Sequence, residues 1–343
     1  MKFIFLTDTH FHLFTDFSTP NSEYYNDRFK EQIESLQKVF DIARENKAKV
    51  IFGGDLFHKR NSVDTRVYNK VFETFANNQD ITVYMVRGNH DAVTNSLYTD
   101  SSIDIFDTLP NVHVTRSLDS LSLSSKVQLT MCAYGDETEE IKDFIKDNYV
   151  EDKVNILVGH LGVEGSLTGK GSHRLEGAFG YQDLLPDKYD FILLGHYHRR
   201  QYFQNPNHFY GGSLMQQSFS DEQDSNGVHL IDTEKITTEF IPLDTRRFIT
   251  VKGDNLPSNL QELQENGHFI RFIGTPEQAK TIQMDSGEFE TNLRVEVKRD
   301  YNVEKRIEGS AQDSPKEISR NFAKQYYPDS EKEIVECIEE VME

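Results

Sequence analysis

Five short polar segments, each placed directly after a run of apolar residues, constrain the fold of this chain most. Six of the twelve histidines lie within or beside these segments. Open α/β sheets present their ligand-binding loops beyond the carboxyl ends of their strands, so one sheet edge can bring such segments together. The segments are Asp8-Thr9-His10, Gly54-Asp55, Gly88-Asn89-His90-Asp91, Gly159-His160 and Gly195-His196-Tyr197-His198.

The apolar runs before these segments have the length and composition of buried strands. Residues 2–6 and 49–52 predict two strands, and the stretch between them has apolar residues at helical spacing over 26–45. This order predicts a β-α-β unit. A helix marked by Val67, Val71 and Phe75 repeats the pattern, and further strands are predicted at 81–86, 155–158 and 191–194.

The texture of the sequence changes after Arg199. Runs at 227–232 and 237–243 predict a second sheet packed on the first, and we place a domain boundary near Thr245. A small α+β unit then follows, with strands predicted at 248–252, 269–273 and 293–298 and a helix at 276–283. The last segment predicts two helices, because Ser314-Pro315-Lys316-Glu317 and Ser330 with Glu333 both have the form of a helix start.

Composition limits the partners of the chain. The excess of 57 acidic over 37 basic side chains gives a formal charge of -20, which argues against non-specific attraction to DNA or an anionic membrane. The two cysteines, Cys132 and Cys337, are far apart, so neither a disulfide framework nor a zinc ribbon is expected. The apolar start is too short for a signal peptide or a membrane span, and a cytoplasmic protein is expected.

The residue types in the five segments favour a metal site. Two divalent cations close together need about eight protein ligands, one of them a carboxylate that bridges both ions. In an extended segment the side chains of Asp8 and His10 would point the same way. Asn89 offers a neutral amide oxygen, and Asp91 is placed to hold the imidazole of His90. Each motif alone also fits a turn aspartate, a turn glycine or a core histidine.

In their order and spacing these motifs resemble the calcineurin-like metallophosphoesterase superfamily, and more closely its SbcD-type DNA nucleases. The resemblance covers residues 1–245 and is only architectural beyond them. It implies a four-layer α-β-β-α sandwich over 1–245, an α+β DNA-capping domain over 246–300 and a C-terminal helical segment over 301–343. The finer motifs are Gly54-Asp55-Leu56-Phe57-His58, Leu194-Gly195-His196-Tyr197-His198-Arg199, Tyr210-Gly211-Gly212-Ser213, Phe219-Ser220-Asp221-Glu222 and Gly227-Val228-His229-Leu230-Ile231-Asp232.

The resemblance also implies roles for individual residues. His90 would stabilise the transition state or protonate the leaving oxygen, with Asp91 as its support, and His58 would help to place the substrate phosphate. Manganese is the metal that this branch prefers, although the ligand types also suit iron or zinc. The first metal ion would be held by Asp8, His10, Asp55 and His198, and the second by Asp55, Asn89, His160 and His196.

The function implied is a two-metal DNA nuclease, a duplex exonuclease and single-strand endonuclease. It would be the catalytic subunit of a complex with an SbcC-type SMC-like ATPase in DNA repair, recombination or end processing. A homodimer through residues 65–77 and 101–109 is expected, although the apolar positions of these segments also fit an ordinary core. The terminal helices either pack on themselves or bind the ATPase. Basic residues that could contact DNA phosphates are Arg60, Arg66, Lys170, Arg174, Arg199 and Arg200.

Two other functions fit parts of the same pattern. A general metallophosphatase or cyclic-nucleotide phosphodiesterase would need the same five motifs. A scaffold without activity could keep the fold but would have no use for the complete ligand set. The acidic total predicts that DNA binding by this chain alone is weak.

Overall fold

The computed structural model describes residues 1–167, 179–222, 224–253, 257–285, 293–297 and 314–342. Within it the chain forms two compact units, Met1–Val297 and Lys298–Glu343. The helices are α1 (Asp27–Asn46), α2 (Thr65–Ala76), α3 (Thr138–Asp147), α4 (Leu260–Glu265), α5 (Pro276–Asp285), α6 (Pro315–Tyr326) and α7 (Glu331–Met342). Four short 3-10 helices span Asp104–Thr108, Tyr181–Leu184, Phe219–Asp221 and Pro328–Ser330.

Seventeen strands are described. They are β1 (Lys2–Leu6), β2 (Pro20–Asn21), β3 (Tyr25–Asn26), β4 (Lys49–Phe52), β5 (Val83–Val86), β6 (Val112–Thr115), β7 (Leu118–Ser124), β8 (Val127–Cys132), β9 (Val154–His160), β10 (Phe191–Gly195), β11 (Gln201–Tyr202), β12 (His208–Tyr210), β13 (Gly227–Asp232), β14 (Thr237–Pro242), β15 (Phe248–Lys252), β16 (Phe269–Gly274) and β17 (Leu293–Val297).

Two six-stranded mixed sheets form the larger part of the first unit. The first has the order β14-β13-β1-β4-β5-β6, and the second has the order β11-β12-β10-β9-β8-β7. Strands β1, β4, β5 and β6 are parallel, and so are β8, β9, β10 and β12. The loops that follow these parallel strands therefore leave each sheet at the same edge.

The side chains of β1 show how the layers are arranged. Phe3 and Phe5 pack in one cluster with residues of the second sheet such as Leu129, whereas Ile4 and Leu6 pack in another cluster with helices α1 and α2. Alternate residues of a strand point to opposite faces, so both faces of the first sheet are covered. Helix α3 packs on the second sheet and belongs to the same cluster as Phe3 and Phe5. The predicted four-layer α-β-β-α sandwich is confirmed.

A three-stranded parallel sheet, β15-β16-β17, follows the sandwich and has its own small core. Its first strand is fixed to the sandwich by side chains. The Gln216 amide oxygen accepts a hydrogen bond from the Phe248 backbone N–H at 2.6 Å. The Arg246 guanidinium donates to Glu31 Oε2 at 2.7 Å and to Asp27 Oδ2 at 2.6 Å. The boundaries at 245 and 300 stay a prediction.

The second unit contains the two predicted terminal helices. Helix α6 begins with the expected capping box, in which the Glu317 backbone N–H donates to Ser314 Oγ at 3.3 Å and the Ser314 N–H donates to Glu317 Oε2 at 2.8 Å. Helix α7 begins at Glu331, and the side chains of Ile338 and Val341 lie outside the described residues. Among the helices described, none has the length and apolarity that a bilayer crossing requires.

Candidate metal centre

Five strands from both sheets deliver the predicted ligands to one place. Asp8 and His10 follow β1, and Asp55 follows β4. Asn89 and His90 come after β5, which lies beside β4 in the first sheet. The second sheet provides the other ligands, with His160 at the end of β9 and both His196 and His198 directly after β10.

One half of the centre surrounds the Asn89 amide oxygen. His160 Nε2 lies 3.0 Å from Asn89 Oδ1, and His196 Nδ1 lies 2.9 Å from the same oxygen. His160 Nε2 is also 3.4 Å from Asp55 Oδ2. A chain of contacts therefore joins the four residues predicted for the second metal ion.

The other half surrounds His10. Its Nε2 lies 3.5 Å from Asp55 Oδ2, 3.9 Å from Asp8 Oδ1 and 3.0 Å from His198 Nε2. Asp55 Oδ2 thus faces both halves, as expected of a bridging carboxylate. Three overlapping triads have ligand atoms within 4.8 Å of one another, namely Asp8 with His10 and His198, His10 with Asp55 and His90, and Asp8 with Asp55 and His160.

The donor set fits divalent cations. His160 Nδ1 lies 2.8 Å from the Gly53 carbonyl oxygen, so it must donate its hydrogen there. The opposite nitrogen, Nε2, then faces two groups that only accept hydrogen bonds, the Asn89 amide oxygen and the Asp55 carboxylate. A cluster of buried acceptors needs a positive charge at its centre, either a proton on Nε2 or a metal ion.

Electrostatic effects inside the cluster shift the pKa values of its histidines in different directions. Burial favours the neutral form of His160, but the carboxylates of Asp55 and Asp8 and the hydrogen bond to the Gly53 carbonyl group together raise the pKa of His160 to about 9. Burial lowers the pKa of His196 to about 3, and nearby His160 adds to this effect. Burial opposes ionisation of Asp55, yet His160 and His10 hold its pKa well below the usual range. His160 must release a proton before Nε2 can bind a cation.

The backbone at the ligands is left-handed, which corrects one sequence-based interpretation. Asp8 has a φ of 53°, His10 of 46°, Asp55 of 59° and His196 of 101°. The segment Asp8-Thr9-His10 is therefore not extended, and its two side chains converge because both residues adopt strained conformations. Such strain costs about 1–3 kcal/mol per residue and persists only where the surroundings enforce it.

Two glycines allow the strand ends to approach so closely. Gly54 has a φ of +103°, and a Cβ there would lie 2.4 Å from His160 Nδ1. A Cβ at Gly88 would lie 2.2 Å from Asp55 Oδ1. The predicted use of glycine, close approach of the backbone to the centre, is seen at both positions.

Asp91 has a different role from the predicted one. Its carboxylate does not contact His90 but accepts hydrogen bonds from the backbone N–H groups of Asp55, Leu56, Phe57 and Gly88 at 2.9 to 3.2 Å. The interpretation that Asp91 holds the His90 imidazole is wrong, because the side chain turns inward to the loop that follows β4. Asp91 positions the bridging Asp55.

His90 is oriented by a carbonyl group instead. Its Nδ1 lies 2.6 Å from the His58 carbonyl oxygen, so it donates there. A ring nitrogen of His90 also lies within 4.8 Å of ligand atoms of His10 and Asp55. The ring of His58 stands edge-on to the ring of His10 at a centroid distance of 5.5 Å. Burial lowers the pKa of His58 to about 4, so this ring is neutral at pH 7.

Sequence reasoning assigned no role to several residues that support the ligands. Asp221 Oδ2 accepts hydrogen bonds from the Gln217 and Ser218 N–H groups at 2.9 and 3.0 Å, while Asp221 Oδ1 lies 3.9 Å from His198 Nδ1. The Gln217 amide donates to the Asp8 carbonyl oxygen at 3.2 Å. The motif Phe219-Ser220-Asp221-Glu222 contained the only signal of this support.

The basic residues proposed to contact DNA are mostly engaged within the protein. Arg60 is the one tied to the centre, since its Nε donates to the Asn89 carbonyl oxygen at 2.8 Å. Lys170 and Arg174 lie outside the described residues. The partners of the other three are Asp64 for Arg66, Asp224 for Arg199 and the ring of Phe240 for Arg200.

Sequence comparison shows which known proteins the chain is similar to. The family model described as calcineurin-like phosphoesterase matches residues 1–200. The SbcD component of nuclease SbcCD from Staphylococcus saprophyticus is 34% identical over 36% of this chain and 34% of its own length. Its counterpart from Staphylococcus epidermidis is 27% identical over 53% of this chain and 54% of its own length. Exonuclease subunit 1 of Enterobacteria phage T4 is 27% identical over 62% of each chain.

These matches reach only part of each relative. The aligned stretch covers 34% to 62% of the length of the three curated proteins, less than two thirds in every case. For this chain, the activity, substrates and partners of these relatives are therefore only proposed.

Proposed function

The chain belongs to the calcineurin-like phosphoesterase family, and within this family we propose that it is a two-metal DNA nuclease with duplex exonuclease and single-strand endonuclease activity. The observation that carries the proposal is the position of Asp55 Oδ2, 3.5 Å from His10 Nε2 and 3.4 Å from His160 Nε2. One carboxylate oxygen placed between two sets of ligands is the arrangement that two adjacent cations require.

The proposed ligands are those predicted from the sequence. Asp8, His10, Asp55 and His198 would hold one divalent cation, and Asp55, Asn89, His160 and His196 the other. When bound, such a pair neutralises a phosphodiester, lowers the pKa of a water molecule and aligns it with the leaving oxygen. Manganese is the proposed metal because the resemblance to SbcD-type nucleases implies it, and the carboxylate, amide and imidazole ligands are compatible with it.

His90 is proposed to stabilise the transition state or to protonate the leaving oxygen. With Nδ1 bonded to the His58 carbonyl oxygen, Nε2 is the nitrogen left to interact with the substrate. A ring nitrogen of His90 lies within 4.8 Å of ligand atoms of His10 and Asp55. Asp91 supports the reaction indirectly through the loop that carries Asp55. His58 borders the same centre and would contact the substrate beside the phosphate as a neutral ring.

DNA is the proposed substrate because the curated relatives are named as components of a nuclease and an exonuclease. The two staphylococcal relatives are named as the SbcD component of SbcCD, so we also propose an SbcC-type SMC-like ATPase as the partner, in DNA repair, recombination or end processing. A cytoplasmic location fits this role. The acidic charge of -20 makes such a partner a natural source of the DNA-binding surface.

Helix α6 is the proposed ATPase-binding element. Ile318 and Phe322 are each 41% exposed and Tyr326 is 48% exposed, and they follow one another at intervals of four residues along one face. Exposed apolar residues at this spacing suit a helix-in-groove contact. The sign of a specific contact would be loss of ATPase binding in Phe322→Glu with nuclease activity unchanged.

A homodimer also remains part of the proposal, although its expected surface is narrower than the sequence indicated. Val67, Val71 and Phe75 of α2 are buried in the core of the protein. Ile105, in the 3-10 helix Asp104–Thr108, is 45% exposed and could contribute to a dimer contact. Sedimentation equilibrium of the wild type and Ile105→Lys would test it.

The nuclease is tested by comparing substrates on one preparation with manganese. Linear duplex DNA, single-stranded circular DNA, a chromogenic phosphodiester and a phosphomonoester are each incubated with the wild type, Asp55→Asn and Asp80→Asn. Asp80 is an exposed aspartate that pairs with Arg44 before β5 and serves as the matched control. Cleavage of both DNA forms, lost only in Asp55→Asn, is expected. Hydrolysis of the small esters without any DNA cleavage would instead identify a phosphatase or cyclic-nucleotide phosphodiesterase.

A further inference from the structure

A cavity of about 500 Å³ opens beside the metal centre. Two of its lining residues, His58 and His198, also border or belong to the ligand cluster. The opposite walls come from the loop at residues 12–17 and the loop at residues 217–221. A group bound in this cavity would therefore sit next to a phosphate held at the metal ligands.

Aromatic rings dominate the walls. Phe14, Phe17 and Phe219 are partly exposed, and the buried Phe248 lies among them. Phe219 packs edge-on against Phe248 at a centroid distance of 4.9 Å, and Phe14 lies 4.9 Å from the ring of His58. Planar rings in such walls offer stacking surfaces for another flat, uncharged ring.

A buried arginine holds the two walls in place. The Arg28 guanidinium donates to the Asp16 carbonyl oxygen at 2.9 Å and to the Gln217 carbonyl oxygen at 3.0 Å, and it lies 4.4 Å from the centroid of Phe14. One side chain thus ties both loops together. The cavity is formed before any ligand binds, which reduces the entropy cost of binding.

The charges around the cavity disfavour a second phosphate. Arg28 is already bonded to two carbonyl groups, and Arg294 Nε lies 3.5 Å from Glu296 Oε1. Two carboxylates, Asp16 and Asp221, line the same space. The lining thus contains two guanidinium groups and two carboxylates, so these four side chains give no excess of positive charge, and a neutral ligand suits the cavity better than an anion.

We infer that this cavity binds an unpaired nucleobase of the strand whose phosphate lies at the metal ligands, by stacking on the rings of Phe14 and Phe219. The inference rests on the proposed function, and it narrows the substrate to unpaired nucleotides, such as those of single strands and frayed ends. A paired base would have its edge occupied and its neighbours stacked, so it could not enter a walled cavity.

Binding measurements test this without relying on DNA cleavage. Titration calorimetry with manganese present compares 2′-deoxyguanosine 5′-monophosphate with 2-deoxyribose 5-phosphate, which has a hydroxyl group in place of the base. Base–aromatic stacking contributes about 1–3 kcal/mol per base, so the nucleotide should bind about 5- to 150-fold more tightly. Phe14→Leu and Phe219→Leu should each remove most of that advantage and leave the affinity for the sugar phosphate unchanged.

The controls separate stacking from packing. Phe14→Tyr keeps an aromatic face and should keep the advantage, and Tyr149→Leu changes an aromatic residue that lies away from the cavity beside Lys188. Equal affinity of the wild type for the two ligands would overturn the inference. The inference would also be overturned if both leucine variants kept the tighter binding of the nucleotide. The same holds if these variants lost affinity equally for the nucleotide and for the sugar phosphate. DNA cleavage is measured separately, so failure of the nuclease proposal would be seen independently.

Discussion

The Asp91 carboxylate accepts a hydrogen bond from the backbone N–H of Asp55 at 2.9 Å, across 36 residues of sequence. The same carboxylate accepts three more N–H groups from the two loops that carry the ligands. A carboxylate is the side chain best suited to this contact, because it has about four acceptor sites and no donor when ionised. The proposed bridging ligand, Asp55, is therefore positioned by a residue that lies outside the proposed ligand set.

Replacing Asp91 by asparagine should destabilise the protein strongly. The amide NH2 would face backbone N–H groups and leave buried donors without partners, which should lower the free energy of unfolding by roughly 3 kcal/mol. Urea denaturation of the metal-free protein measures the change. Asp190→Asn is the control, because Asp190 accepts the single N–H of Asn155 and should cost about 1 kcal/mol. If Asp91→Asn lowered the free energy of unfolding by no more than Asp190→Asn does, Asp91 would not be holding the two loops together.

Gly54→Ala should abolish binding of the metal pair. The added Cβ would overlap His160 Nδ1 and would also force alanine into a backbone conformation with a φ of +103°. Gly165→Ala is a matched control, since Gly165 has a φ of +81° but no heavy atom within 4 Å of the added Cβ. It should cost only the conformational strain, about 1 kcal/mol, and keep full metal content. Metal analysis of both dialysed variants distinguishes steric overlap from strain.

Metal stoichiometry should follow the division of the ligands into two halves. The wild type should bind two ions, Asn89→Ala should retain one, and Asp55→Ala should lose both because Asp55 faces each half. At an ion concentration about 100 times the dissociation constant, one site stabilises the folded state by about 2.7 kcal/mol. Calorimetric unfolding with and without chelator should show this, and Asn46→Ala, at the end of α1, should respond like the wild type. Loss of both ions in Asn89→Ala would contradict two separable sites.

His229 should make the stability of the protein depend on pH. The ring is buried against Phe209 at a centroid distance of 4.2 Å, and burial lowers its pKa from 6.5 to about 4. The unfolded chain therefore binds a proton at a higher pH than the folded chain does. Stability from this residue is complete above pH 6.5 and falls as the pH decreases toward 4, by about 2 kcal/mol at pH 5.

The variant His229→Phe isolates that contribution. Its free energy of unfolding should decrease less than that of the wild type between pH 7 and pH 5, as measured by urea denaturation at each pH. Phenylalanine preserves the aromatic contact with Phe209 but has no group that titrates. If the free energy of unfolding of the two proteins changed equally with pH, His229 would not be the source of the pH dependence.

Much of the fold was predictable because its signals are local. The helix predicted over 26–45 spans Asp27–Asn46, and the strand predicted at 227–232 spans Gly227–Asp232. Apolar spacing determines which face of such an element is buried, whatever lies opposite. The types of the ligands were local too, since carboxylates, an amide and imidazoles directly after strands already favour a metal centre.

Tertiary structure alone decided what the side chains contact. Asp91 follows His90 in the sequence, yet it bonds to the loop of Asp55, and a left-handed backbone rather than an extended one brings Asp8 and His10 together. The cavity beside His198 needed two loops that lie far apart in the sequence and the Arg28 bridge between them. Sequence patterns report on neighbours along the chain, whereas a buried polar group selects whichever partner the packing brings within about 3 Å.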